Sequence, residues 1–431
     1  MTAPATTPAT PATPSTAPTS DRYVPAGPPG RPKPGYTPAR VAVPVFALAA
    51  LLATGQMYTP IPMFAEMEAT WDVGLGSMTW IISAFAFGYA AGFVAFGPMA
   101  DRFGRRRVLV TGLIAAGVVT LLTGLAPTFA AAVPLRVLQG LAVGAIPPAM
   151  TAYATTRIAP ARRAVAVTAI ITAFLASTVL GQLAAQAVVR TADWQWVFAG
   201  SAVLFGVAAL AAARVMSPDE IDPGASLARS YAAIPRVLRI GRLLPMLAAA
   251  ALAMGSMVAA YTGIELTGVV TGNAALLTLR ASALPVMIAL PFLAIPLARL
   301  DRTSHLPLGT AVAGLAMVAA AFAGGNLTAL AILLAVLVFG IGIAGPAMNQ
   351  IAAEAGGEQR AAATSVAMFS FYVGATAGPL VASAVAPHGF AALAWTLAAM
   401  LLTAAGLALW GKRKASRDQG GTPDGASRRT L

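Results

Sequence analysis

The side chains that could carry chemistry in this sequence are a few polar residues inside long apolar runs. Arg136 is the clearest of them, and Gln139 and Gly140 follow it at spacings that place all three on one face of a helix. A charge inside a membrane-spanning helix costs roughly 2.5–3.5 kcal/mol, so such a residue usually handles an ion or a substrate. The alternative is that Arg136 extends to the nearby outer surface of the membrane.

A second polar group lies further along the chain. Thr178, Gln182 and Gln186 repeat at intervals of four, so they form a polar line on an otherwise apolar helix. Such a line should face protein or a cavity rather than lipid, and both cavity lining and plain helix–helix hydrogen bonding remain open. Glu265 is the best-placed carboxylate for carrying a proton, although the sequence favours a simple pairing with Arg280 across an outer turn.

Other kinds of site are not expected. The sequence contains no cysteine, which excludes disulfides and thiolate chemistry. Its two histidines, His305 and His388, fall in turns on opposite sides of the membrane and cannot share a metal ion. There is no phosphate-binding loop for ATP and no Ser–His pair or paired acids for an intramembrane hydrolase. We therefore expect no enzyme activity and no cofactor.

The composition is that of a membrane protein. Of the 431 residues 58% are hydrophobic and 10% are charged, and the mean hydropathy is +0.76. Soluble domains usually carry about 25% charged residues, so this chain is not expected to be water-soluble. The net charge of +13 is scattered over short loops rather than gathered in one patch. A lipid bilayer is therefore the expected partner, and nucleic acid is not.

Twelve apolar runs are each near the roughly 20 residues that a spanning helix needs. Arginines collect in every second turn, whereas the other turns hold only Arg190 and Arg280. Since positive residues favour the cytoplasmic side, this segregation predicts that both termini are cytoplasmic. The predicted helices are 41–63, 76–99, 108–126, 130–152, 165–188, 194–214, 243–266, 276–297, 306–324, 327–350, 361–384 and 389–410.

The chain also divides into two similar halves. Pro98-Met99-Ala100 recurs as Pro296-Leu297-Ala298, and Arg162 corresponds to Arg360 at the same offset. Duplicated bundles are typical of secondary transporters, whose substrate site lies near the midplane between the halves. The predicted organisation is a disordered Pro/Thr/Ala-rich cytoplasmic tail at 1–40, a six-helix half at 41–214, a cytoplasmic central loop at 215–242, a second six-helix half at 243–411 and a disordered cytoplasmic tail at 412–431.

The turn between the second and third predicted helices carries a known pattern. It resembles motif A of the major facilitator superfamily, G-x-L-a-D-r-x-G-r-k, with Met99 in place of the leucine, and 135–144 resembles motif B. The resemblance covers nearly everything after residue 40 and is closest to bacterial drug or sugar efflux permeases. It implies an all-α membrane fold with about twelve helices in two pseudo-symmetric halves. The matching motif A positions are Gly97, Asp101, Arg102, Gly104, Arg105 and Arg106.

The resemblance also implies roles for these residues. Asp101 would face the start of the eleventh helix near Ala361, which makes the motif a latch that holds the cytoplasmic side closed. The alternative is that the motif only sets topology. Relatives often have an acid at the inner end of the fourth helix, where this chain has Tyr153-Ala154-Thr155-Thr156. For Arg136 the resemblance implies proton coupling or anion handling.

The sequence thus predicts a monomeric secondary transporter of the plasma membrane. It would move a small, amphipathic organic solute out of the cell by alternating access, driven by protons. Only Gly181 matches the Gly-Pro pair of the family's antiporter motif, so the match to antiporters is incomplete. Metabolite uptake or sugar export is the alternative within transport, and a membrane sensor without transport is the alternative from another class.

Overall fold

The computed structural model of the protein describes residues 35–218, 227–297 and 301–420. Within these ranges a few side chains are not described, among them that of Asp101 and those of 291–297 and 416–420. Every regular element in the described ranges is a helix, which confirms the predicted all-α fold. The predicted tail at 1–40 lies almost entirely outside the described residues.

The first part of the chain forms eight helices. The apolar runs predicted from the sequence lie close to their expected places, and the short helix α2 is an addition that falls in the predicted turn after the first span. The helices are α1 (Ala39–Tyr58), α2 (Phe64–Trp71), α3 (Thr79–Phe103), α4 (Arg105–Gly124), α5 (Phe129–Val143), α6 (Ile146–Arg157), α7 (Pro160–Val188) and α8 (Gln195–Val215).

The rest of the described chain also forms eight helices, the first of which lies inside the predicted central loop. They are α9 (Leu227–Leu238), α10 (Leu243–Thr267), α11 (Asn273–Ala281), α12 (Leu284–Leu297), α13 (Arg302–Ala320), α14 (Leu327–Gly356), α15 (Arg360–Val385) and α16 (Phe390–Gly420).

Two of the boundaries differ from the prediction for identifiable reasons. The helix predicted at 130–152 is interrupted after α5, because Pro147 and Pro148 occupy the first turn of α6, where a missing N–H costs least. Helix α16 continues to Gly420 although the sequence analysis ended the last helix at residue 410. Lys412, two residues beyond the predicted end, donates to the hydroxyl of Ser304 on α13, which holds this part of the helix against its neighbour.

Ten helical segments among the described residues are long and apolar enough to cross a membrane. Helix α7 is an eleventh segment, bent by 44° between Phe174 and Ala176. The twelfth predicted span corresponds to α11 and α12, where the shorter apolar helix Ala274–Leu290 is found. The protein is therefore a multi-pass membrane protein, with ten or eleven candidate spans among the described residues and a shorter apolar helix at the remaining predicted place.

Helix packing repeats between the two parts of the chain. Helices α1 and α7 pack together, as do α3 and α5, and α4 and α8. The corresponding pairs six spans later are α10 with α15, α12 with α14, and α13 with α16, and these pack too. This repetition is what a duplicated six-helix bundle gives. The division into halves at the predicted boundaries itself stays a prediction.

Helices α3 and α15 join the first set of spans to the second along their whole length. Gly76 lies beside the hydroxyl of Ser383 at one end, and Gly97 beside the hydroxyl of Ser365 at the other. In the middle the rings of Phe93 and Tyr372 stack with centroids 5.4 Å apart. The next layer of the fold, α5, approaches α3 so closely that Gly140 touches its backbone.

Candidate functional site

Arg136 lies fully inside the protein and does not reach the membrane surface. Its side chain has 0% exposure. Its Nε donates to the carbonyl oxygen of Ile81 at 2.9 Å, and one terminal nitrogen donates to the carbonyl oxygen of Gln56 at 2.9 Å. The guanidinium also lies 4.5 Å from the ring centroid of Phe85, a cation–π distance. The sequence-based alternative of a surface-seeking arginine is therefore wrong.

Gln139 completes this buried polar network. Its Oε1 accepts from Arg136 at 2.7 Å, while its Nε2 donates to Gln56 Oε1 at 3.1 Å and to Thr120 Oγ1 at 2.7 Å. The network thus joins α1, α3, α4 and α5. No carboxylate lies within ion-pair distance of Arg136 in the part of the chain that the structure describes, so its charge is held by neutral oxygens and a ring.

Gly140 has a packing position rather than a polar one. A Cβ at this residue would overlap the carbonyl oxygen of Phe85 on α3, and Gly88 on α3 meets the carbonyl oxygen of Val137 in the same way. The two glycines allow the helix backbones to touch, as small residues do in membrane helix pairs. Gly140 therefore fixes how near Arg136 stands to α3.

The predicted polar line on α7 is buried along its length, and its members have different partners. Thr178 lies 3.8 Å from the sulfur of Met287 on α12. The amide nitrogen of Gln182 donates to the carbonyl oxygen of Thr178 at 2.6 Å, and its Oε1 is buried with no partner among the described residues. Gln186 accepts from Arg280 at 2.7 Å. The line therefore faces protein rather than lipid, as predicted.

Glu265 and Arg280 form the ion pair that the sequence favoured. The two side chains approach to 2.7 Å, with exposures of 22% and 5%. Because Arg280 also binds Gln186, one guanidinium joins α7 of the first set of spans to α10 and α11 of the second. Glu66 on the exposed face of α2 is a further acidic group close enough to act on Glu265. We call Gln186, Glu265 and Arg280 the outer cluster.

Four buried tyrosines meet between the two sets of spans, and they were not predicted as a group from the sequence. We call Tyr58, Tyr89, Tyr261 and Tyr372 the tyrosine cluster. Tyr89 and Tyr372 have ring centroids 4.5 Å apart, and Tyr58 lies within electrostatic range of Tyr261 and Tyr372. The hydroxyls of Tyr89 and Thr54 are 3.3 Å apart. The available signal was a tyrosine in each of four apolar helices, since a buried hydroxyl needs a partner.

The motif A turn is built as its residue types require. Gly104 separates α3 from α4 with φ 95°, a conformation that favours glycine. Arg105 donates to the hydroxyl of Thr156 on α6 at 2.7 Å, and Arg106 donates to the carbonyl oxygen of Ala213 at the end of α8. Thr156 thus occupies the place of the missing acid. The contacts predicted for Asp101 lie outside the described side chains.

The second-half counterpart of this turn has a different arrangement. Asp301 caps the start of α13 through the backbone N–H of Thr303 and pairs with Lys412 on α16 at 2.8 Å. Hydrogen bonds from Lys412 and Thr303 lower the pKa of the Asp301 carboxyl to about 2. This pair ties two neighbouring spans of one part of the chain together. It is exposed, so its contribution to stability is modest.

No group of three or more metal-binding side chains exists among the described residues. What the arrangement offers chemically is a buried arginine held by neutral oxygens, an ion pair whose arginine also bonds to the other set of spans, and buried hydroxyls that meet between the two sets. Buried charges and hydroxyls of this kind can bind and release ligands or protons.

Comparisons with known proteins agree with this architecture. The sequence model described as Major Facilitator Superfamily matches residues 46–355. A segment of 127 residues, 29% of this chain and 22% of the relative, is 34% identical to an uncharacterized MFS-type transporter of Mycobacterium tuberculosis. Over 211 residues, 48% of each chain, it is 28% identical to a probable transporter of Streptomyces coelicolor.

A third relative carries a more specific name. The chain is 30% identical over 128 residues to the puromycin resistance protein of Streptomyces alboniger, which covers 29% of this chain and 25% of that protein. In these three comparisons the matched part spans between about a fifth and a half of the relative's length.

Proposed function

The chain belongs to the Major Facilitator Superfamily, and we propose that it is a secondary active transporter of the plasma membrane. In this proposal a monomer moves a small organic solute by alternating access, and each set of six spans rocks against the other about a central site. Both termini lie in the cytoplasm, as the distribution of arginines favours.

The observation that carries the proposal is the outer cluster. A rocking transporter needs contacts between its two halves that form on one side of the membrane while the other side opens. Arg280 supplies such a contact, since it binds Gln186 of the first set of spans and Glu265 of the second, each at 2.7 Å. If Arg280 loses its bonds to Gln186 and Glu265, the two sets of spans can separate on this side of the molecule.

Glu265 is the proposed proton carrier. Of the fifteen acidic residues in the sequence, it is the one that lies within a predicted span, close to the end of that span. Protonation of its carboxylate removes the charge that holds Arg280, so proton binding and opening of the outer side become linked. Arg136 then acts as a fixed positive charge that keeps a second proton or a cation away from the first set of spans.

Motif A is the proposed latch on the opposite, cytoplasmic side. Two of its arginines already tie α4 to α6 and to α8, so the turn moves with the first set of spans as one body. Gly97 lies beside Ser365 near the start of α15, which brings the motif next to the second set. Asp101 would complete the latch by facing the positive N-terminus of that helix.

Efflux is the proposed direction. The name of the Streptomyces alboniger relative connects one similar protein with resistance to puromycin, and apolar, aromatic helices line the middle of this molecule. Metabolite uptake and sugar export are the alternatives within transport. A membrane sensor without transport is the alternative of another class.

Transport in everted membrane vesicles tests the proposal. We expect a solute panel of native metabolites and amphipathic drugs to include one that accumulates inside energised everted vesicles and is lost when a proton uncoupler is added. Accumulation that survives the uncoupler would contradict proton coupling, and accumulation only in right-side-out vesicles would indicate uptake. If no solute of a broad panel is transported in vesicles of either orientation, the result favours a membrane sensor over a transporter.

A further inference from the structure

The tyrosine cluster contains two hydroxyls whose hydrogen-bonding capacity is unused. Tyr58 on α1 has 0% exposure and Tyr261 on α10 has 6%, yet neither hydroxyl has a partner among the described residues. The hydroxyl of Thr262, next to Tyr261 in the chain, is buried without a partner as well. A buried polar group without a partner destabilises a protein, so its presence needs an explanation.

The two hydroxyls belong to opposite sets of spans. Tyr58 and Tyr261 lie within electrostatic range of each other, and the short turn Ile61–Met63 after α1 packs against α10. In the same cluster Tyr89 and Tyr372 contact each other, and the ring of Phe93 stacks on that of Tyr372. The cluster therefore combines an aromatic wall with two hydroxyls, the mixture of apolar lining and few polar groups that small-molecule sites have.

The charges around the cluster restrict what it can hold. The buried charged side chains among the described residues are arginines, and Glu265, the carboxylate on α10, is already paired with Arg280. A cationic solute would find no free carboxylate here. An anionic solute would find no free cation, because Arg136 lies behind Phe85 and binds Gln56, Ile81 and Gln139. A buried charge without a partner is strongly unfavourable.

We infer that the tyrosine cluster binds the solute and that this solute is uncharged, with an apolar or aromatic body and an oxygen that exchanges hydrogen bonds with Tyr58 and Tyr261. The inference rests on the proposed transport function in one respect, namely that the bound molecule is the one carried. Binding itself needs no gradient and no transport.

Three matched probes test the inference: 2-naphthol, naphthalene-2-sulfonate and (2-naphthylmethyl)trimethylammonium, which share one ring system and differ in charge. Their saturable binding is measured on the full chain in lipid nanodiscs, with empty nanodiscs subtracted. We expect 2-naphthol to bind most tightly. Tyr58→Phe and Tyr261→Phe should each weaken its binding by about fivefold, the loss of one neutral hydrogen bond. Tyr36→Phe, at an exposed position, is the matched control and should change nothing.

The outcomes separate this inference from the proposed function. Tighter binding of either charged probe, no saturable binding of 2-naphthol, or unchanged affinity in both cluster variants would overturn it and make the cluster a packing layer. Tyrosine-dependent binding without any transport would leave the inference standing and count against the transporter proposal instead.

Discussion

The carboxylate of Glu265 and the guanidinium of Arg280 lie 2.7 Å apart, and the same guanidinium reaches Gln186 on a helix of the other set of spans. Arg280 is nearly fully buried while Glu265 keeps about a fifth of its side chain exposed. The carboxylate is therefore the more accessible member of the pair, whereas the arginine is held inside the protein. This geometry makes the ion pair the best candidate for coupling a proton to movement.

Replacing Glu265 by glutamine tests that role. The amide of Glu265→Gln can still accept a bond from Arg280 but cannot bind a proton at physiological pH. We expect solute exchange to continue and accumulation driven by a proton gradient to fall to background. Glu68→Gln on α2 is the control and should accumulate solute normally. Accumulation by Glu265→Gln at the wild-type level would remove this residue as the proton carrier.

Substitutions at Arg136 separate charge from geometry. Lysine keeps the charge of Arg136 but cannot bind Gln56, Ile81 and Gln139 together. Losing one charged hydrogen bond costs about 1.5–3 kcal/mol, so we expect Arg136→Lys to transport at less than about a tenth of the wild-type rate. The membrane insertion of Arg136→Lys, measured by the yield of folded protein, should equal that of the wild type. The control is Arg107→Lys, on the exposed face of the motif A turn, which should transport normally. A fully active Arg136→Lys would contradict a geometric role for Arg136.

Asp101 distinguishes a latch from a topology signal. A carboxylate at a helix N-terminus contributes about 0.3–1 kcal/mol, and up to about 2 kcal/mol in partly buried settings. Asp101→Asn should therefore leave the melting temperature nearly unchanged and slow the transport cycle by up to about tenfold. The control is Asp193→Asn in the exposed turn between α7 and α8, which should have no effect on either measurement. A wild-type rate in Asp101→Asn would show that the turn only sets topology.

Much of this architecture could be predicted because the signals are local in the sequence. Apolar length fixes the spans, the spacing of Arg136 and Gln139 predicts their shared face, and the nearness of Glu265 and Arg280 in the chain predicts their pairing. The structure confirms the shared face and the pairing, and it confirms ten or eleven of the twelve spans among the described residues. The bilayer makes such signals reliable, since a polar group in hydrocarbon must find a partner.

The remaining features depend on contacts between distant parts of the chain. Arg136 bonds to Gln56 on α1, which is 80 residues away in the sequence. Tyr89 on α3 meets Tyr372 on α15, which belongs to the other set of spans. The spacing of residues within one helix cannot predict a contact with a distant helix. The same holds for Thr156, whose hydroxyl receives Arg105 where an acid was expected. A substitution of one hydrogen-bond acceptor by another is visible only after the helices are packed.

Close packing at Gly140 gives a prediction about stability. A methyl group there would overlap the backbone oxygen of Phe85, which cannot move without shifting α3. Overpacking of this kind costs about 1–3 kcal/mol, so Gly140→Ala should lower the melting temperature in detergent. Gly200→Ala on α8 is the matched control, since no heavy atom lies within 4 Å of its added methyl. Alanine favours helix by about 0.5–1 kcal/mol, so this variant should be equal or more stable. An unaffected Gly140→Ala would mean that α3 and α5 can separate freely.

The orientation in the membrane can be read from single cysteines, because the natural sequence has none and every introduced thiol is the sole labelling site. Thr191 lies exposed in the turn after α7, and Ala161 lies exposed in the first turn of α7 at its other end. If arginine-rich turns are cytoplasmic, a membrane-impermeant maleimide added to intact cells should label Thr191→Cys and leave Ala161→Cys unlabelled. Lysis before labelling should expose both equally, which controls for reactivity. Labelling of Ala161→Cys alone in intact cells would invert the orientation, and with it the assignment of the outer cluster and of the motif A turn to their sides of the membrane.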